Sequence, residues 1–119
     1  MKFRILPAAL AAIAMAPVVA SAQADLSLEQ RMGLRCSAAF AIVAHGQSAG
    51  NEKTQQYPPL AERGREYFVR VMAQLMDDRG LTREQIAAIV ESEAQSLLDN
   101  DQIAAIMPSC LATLEASGL

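Results

Sequence analysis

Cysteine occurs twice in this chain, at Cys36 and Cys110, and no other feature constrains the fold as much as whether the two are joined. The answer depends on where the chain folds, because disulfides persist in oxidising compartments and are rare in the cytosol. The N-terminus speaks to that compartment. Lys2 and Arg4 precede an apolar run from Ile5 to Ala20, which ends in Ser21-Ala22-Gln23-Ala24. A positive head, an apolar middle and a small-residue A-x-A end are the three parts of a secretory signal peptide. Residues 1–24 are therefore expected to be removed by cleavage between Ala24 and Asp25, with a cut after Ala22 as the alternative. A membrane anchor would want roughly 18–20 apolar residues. This run is shorter and contains Pro7 and Pro17. No cysteine stands at the cleavage region to carry a lipid, and nothing later in the chain is apolar enough to span a bilayer.

An exported chain with two cysteines reads first as one bridge. Closing a loop of 74 positions stabilises by roughly 4–4.5 kcal/mol in the chain-entropy treatment. Residues 25–119 are expected to form a single periplasmic domain. Of ten basic side chains, Lys2 and Arg4 leave with the signal, so eight face thirteen acidic ones, a net of −5. That balance disfavours a nucleic-acid partner, which would want a basic face. It equally disfavours electrostatic docking on an anionic membrane.

The rest of the pattern is helical. Ser27 and Gln30 form an S-x-x-Q capping box, and Thr82 and Gln85 repeat it, so helices are expected to open at both places. From the first box, Leu28, Met32, Cys36, Ala39, Phe40 and Val43 keep helical spacing, with Gly46 as the stop. Gln47 to Gln56 reads as the longest loop. The second helix is expected to begin near Pro59 and run to Arg79, with Gly80 as its stop. Gly64 lies within its apolar stripe of Leu60, Tyr67, Phe68, Val71 and Leu75, which implies close approach of another helix. The third presents Ile86, Ile89, Val90, Ala94, Leu97 and Leu98. A short turn through Ile103 and Ile106 leads to a last helix from Pro108 to about Ala116, with Cys110, Leu111 and Leu114 inward and the Gly118-Leu119 tail fraying. The expected fold is all-α, a small four-helix bundle-like domain whose disulfide joins the first and last helices.

Residues that could carry chemistry are few. His45, the one histidine, stands near a helix C-terminus, where an imidazolium complements the dipole. No partner for general-base work is recognisable beside it. Asp99-Asn100-Asp101 begins like a calcium loop, but the fifth, sixth and twelfth positions hold Ile103, Ala104 and Cys110, so a helix cap is the better reading. Arg63 and Arg70, two turns apart, share a face that could take a carboxylate or phosphate. Glu66 with Arg70 and Glu62 with Arg65 make the competing reading, ordinary surface pairs. Met32, Met72, Met76 and Met107 suit either core filling or an adaptable apolar groove. No catalytic residue, cofactor or metal site is assigned.

Through Arg35-Cys36-Ser37-Ala38-Ala39-Phe40, Tyr57-Pro58-Pro59-Leu60-Ala61-Glu62-Arg63-Gly64-Arg65 and Met107-Pro108-Ser109-Cys110, the chain resembles a group of small uncharacterised exported proteins of Gram-negative bacteria. That resemblance implies no activity. In architecture the chain is also similar to periplasmic acid-stress chaperones, which are helical and closed by one disulfide, although Cys36 and Phe40 are spaced by four rather than three. The expected role is non-enzymatic: binding another periplasmic protein, in a stress-protective or envelope-associated setting. Carriage of a small apolar ligand between the helices is the alternative.

Overall fold

Both capping boxes form. In the computed structural model, which describes residues 25–119 together with Ala11, the Ser27 side chain accepts from the Gln30 N–H at 3.1 Å. The Gln30 carboxamide answers by accepting from the Ser27 N–H at 3.0 Å. Helix α1, Leu28–Ser48, grows from this cap. Thr82 and Gln85 make the same reciprocal pair and open α4, Arg83–Asp99. Between them lie the one-turn α2, Glu52–Gln55, and the long α3, Ala61–Arg79. Helix α5, Ile103–Ala116, ends the chain. The expected signal segment, including Ala24, lies outside the described residues; Asp25 is exposed in the turn before α1.

Helix α1 is the axis of the fold. The longer helices α3, α4 and α5 each pack mainly on α1 rather than on one another. Its burial explains why: Gly33, Leu34, Cys36, Ser37, Ala38, Ala39, Phe40, Val43 and Gly46 are all inaccessible. A helix buried around its circumference is a core element, not an amphipathic one. The single stripe expected from periodicity is therefore too narrow, and its first member, Leu28, is 69% exposed. Leu98, also expected inward, is exposed as well. Consecutive helices α3 and α4 are joined by a tight turn at Gly80, yet they meet chiefly through α1.

Where the helices stop departs from expectation in instructive ways. Helix α1 passes Gly46 and closes with Gly50 at φ +76°. There the Asn51 N–H reaches the Gly46 carbonyl and the Gly50 N–H that of Gln47, a Schellman closure. Gly46 serves packing instead, since a Cβ there would stand 2.5 Å from Thr54 Cγ2 on α2. What was expected to be a plain loop thus contains a helical turn seated on a glycine. Helix α3 starts at Ala61 after Leu60, so Pro59 lies just outside it. Gly80, at φ +63°, ends α3 as expected.

Pro108 does not begin the last helix. It sits inside α5, which runs unbroken from Ile103. Proline lacks the N–H that the Ala104 carbonyl would otherwise meet, and both residues are exposed, so water can take that carbonyl. The 99–101 segment is a cap: the Gln102 N–H returns to the Leu97 carbonyl at 2.9 Å, with Asp101 at φ 51°. All described elements are helical. No described helix is long and apolar enough to cross a membrane.

Candidate functional site

Cys36 on α1 and Cys110 on α5 are joined, with Cα atoms 5.3 Å apart and a sequence separation of 74. Both are essentially inaccessible. They sit among Phe40, Val43, Leu97, Met107 and Leu114, so the bond lies within the apolar core and fixes α5 against the axis helix. Phe40 stacks edge-on against Tyr67, with ring centroids 5.3 Å apart. This contact couples α1 to α3 where Gly64 lets the backbones close, as the sequence implied: a Cβ at Gly64 would meet the Phe40 Cβ at 2.9 Å.

Arg63 and Arg70 do share a face, but what they hold is the chain's own end. Arg63 donates through Nε (3.0 Å) and Nη2 (2.6 Å) to the Leu119 backbone oxygen. The same Nη2 pairs with Glu115 at 2.6 Å. Arg70 Nη1 donates to the Ser117 carbonyl at 2.9 Å. Leu119 itself packs against the core. The tail expected to fray is instead clamped by two guanidinium groups; of the surface pairs expected, Glu66 with Arg70 gives way to the Ser117 contact, and Glu62 with Arg65 does not form. Orphan carbonyls past a helix C-terminus are natural acceptors for arginine.

The clamp builds a wall. With α5 pulled toward α3, an open groove of about 920 Å³ forms between the N-terminal half of α1, α3 and the end of α5. Met32, Val71 and Leu75 supply its apolar floor, while Glu29, Asp78 and Arg70 stand in its lining as charges. Thr113 and Ser117 belong to the α5 side. Gly33 keeps the floor low, because a Cβ there would press on both Val71 methyl groups at 3.3–3.4 Å. Tyr67 also lines this groove. Burial pushes its phenol pKa above the usual value, and the negative charge of Glu29 adds to that push.

The remaining candidates are scattered over the fold. His45 is exposed in the last turn of α1. Met107 is buried, Met32 and Met72 are half-buried, and Met76 is the most exposed of the four at 37%. Among the described residues no three His, Cys, Asp or Glu side chains gather as metal ligands would. One organising residue escaped sequence reasoning altogether. The Gln47 carboxamide donates to the carbonyls of Thr54, Tyr57 and Pro58 and accepts from the Leu60 N–H. It staples the connection between α1 and α3. No local pattern marks it, since its partners are backbone groups up to thirteen positions away.

Compared with protein-family models, curated proteins and solved structures, the chain matches none.

Proposed function

We propose that this is an exported, periplasmic protein that acts by holding a segment of another protein rather than by catalysing a reaction. The observation that carries the reading is the 920 Å³ groove with its apolar floor and charged lining. A partner's apolar side chains can be buried on Met32, Val71 and Leu75, while charges beside them set register. An unbranched thioether at the floor adapts to differing shapes, which suits a protein that meets more than one client in a stress-protective or envelope-associated role. The signal-like N-terminus and the internal disulfide agree with an oxidising compartment.

Site-specific photocrosslinking in the exported protein tests this. A crosslinker at Gln74, within the groove, should yield protein adducts of defined mass. One at the exposed Glu91 on α4 should not. Equal labelling at both positions, or none at either, defeats the proposal. The carrier reading rests on a different feature, a 280 Å³ apolar pocket beside Phe40 and Phe68. Native mass spectrometry of the same exported protein separates the two readings, since a carrier should retain non-protein mass.

A further inference from the structure

The smaller pocket has a chemistry of its own, independent of the groove. It lies where the first turns of α3 cross α1, with Phe40, Leu60 and Gly64 at its base and Phe68 and Val90 at its sides. Its volume is about 280 Å³. At about 30 Å³ per water, that is roughly nine water-sized volumes, the scale of one aromatic ring with a short side chain. Ser37 also lines it, but its hydroxyl already donates to the Gly33 carbonyl at 2.8 Å. The pocket thus offers a ligand almost no neutral polar partner.

It does offer one charge. Arg65 is the single ionisable side chain in the lining. Arg35, Arg63, Arg70 and Arg79 are each engaged by an acceptor of the protein. Arg65 has no ion pair or hydrogen bond among the described residues. Arg31 and Arg83 are also unpaired, but they line neither concavity. An apolar recess with one uncommitted guanidinium in its lining complements a molecule with an apolar body and one anionic end. The acid group meets planar paired donors, and the body leaves water. We propose that this pocket binds a small apolar monocarboxylic acid, ring or short chain inward and carboxylate on Arg65.

The probe is 3-phenylpropionate, with 3-phenylpropionamide as its uncharged twin, each titrated into isotope-labelled protein recovered oxidised from a bacterial periplasm. The expected result is saturable amide shifts at Ala41, Ala44, Ala61 and Val90, with a Kd on the order of 1 mM. The amide should bind about three- to fivefold more weakly, the size of a solvent-exposed ion pair. Arg65→Gln should bring acid and amide to equal affinity without altering the fold. Ala41→Leu, which fills the pocket from its exposed side, should abolish binding of both. The proposal is overturned by saturable shifts that map to the groove instead, by equal binding of acid and amide to the unaltered protein, or by no saturation up to about 10 mM.

Discussion

Two apolar clusters fill this domain, both built on α1 but only the first including α5, and they are secured in different ways. The first gathers Phe40, Val43, Leu97, Met107 and Leu114 around the Cys36–Cys110 bond. The second gathers Leu26, Leu34, Leu75, Ile86 and Ile89 where α3 turns through Gly80 into α4; no covalent cross-link joins α3 or α4 to α1 there, and packing holds them with the Arg35–Glu93 and Arg79–Gln30 contacts. In the first cluster α1 and α5 cannot part while the bond is intact. In the second the α3–α4 hairpin can lift from α1 with every covalent link preserved. Local opening follows the weakest set of contacts, so the two halves should differ in dynamics more than in burial.

The bridge itself is the largest lever on that difference. Replacing Cys36 and Cys110 by serine should cost roughly 4–4.5 kcal/mol, from the loop closure it removes. That is a large share of what a domain of this size has to lose. Urea unfolding of oxidised and serine-substituted protein measures it. Equal midpoints would mean that the two clusters are held alike after all. Hydrogen exchange sharpens the result: amides near Cys36 and Cys110 should exchange only by global unfolding in the oxidised protein, and amides of Leu75 to Ile89 should exchange by a smaller opening.

Truncating packing in the second cluster comes next. Leu34→Ala or Ile89→Ala should destabilise by about 2–4 kcal/mol, because each side chain is inaccessible and leaves a cavity. The distinguishing outcome is local. Exchange should accelerate along 75–89 while the segment around Cys36 keeps its protection. If protection around Cys36 falls in step, the clusters open as one unit.

A somewhat smaller effect is expected where glycine sets helix spacing. Gly64→Ala should cost about 1–3 kcal/mol, since the added methyl meets Phe40 at 2.9 Å and α3 must move away from α1. Gly80→Ala meets no atom, and its cost of about 1 kcal/mol comes from the left-handed backbone alone. Thermal melts of the two variants rank them. The reverse order would remove Gly64 as the close-approach point between α1 and α3.

These residues also mark how far the sequence could be read. The helix starts at Ser27 and Thr82, the stop at Gly80 and the role of Gly64 were legible because each rests on a local rule of capping or sterics. The pairing of the cysteines was legible from their even count and the signal-like N-terminus. The centrality of α1 was not, because Gly33, Ser37 and Ala38 carry little hydrophobic signal and are buried for their small size instead. The groove was not legible either. It exists only once α1, α3 and α5 are placed together, and its α5 wall depends on Arg63 and Arg70 finding backbone oxygens, which have no sequence signature. The arginine face could be seen in advance; its ligand, the chain's own end, could not.

That clamp predicts a modest effect on stability and a clear local one. Arg63→Gln should lower stability by at most about 1 kcal/mol, because its carboxylate partner Glu115 is largely solvent-exposed. The amides of Ser117 to Leu119 should nevertheless lose their order, measured by 15N relaxation. If they stay ordered, the Arg70 contact and the packing of Leu119 hold the tail without Arg63, and the groove wall does not need that half of the clamp.

The smallest effect at neutral pH belongs to Tyr67, whose ionisation lies entirely on the alkaline side. Burial, and after it the charge of Glu29, raises its pKa above the ordinary 10.0. A raised acid keeps its proton longer in the folded than in the unfolded chain, so between the two values the unfolded state binds fewer protons. Stability must then fall as pH rises, with the contribution fully present below the ordinary value and lost as pH passes through the folded one. Tyr67→Phe removes a hydroxyl with no hydrogen-bond partner among the described residues and keeps the ring that meets Phe40. It should leave stability near pH 7 almost unchanged and flatten the alkaline decline, read from urea midpoints on either side of pH 10. A decline of the same slope in both proteins would show that the phenol is solvated in the groove rather than buried against α1. The boundary between the bridged cluster and the groove would then have to be redrawn at Phe40.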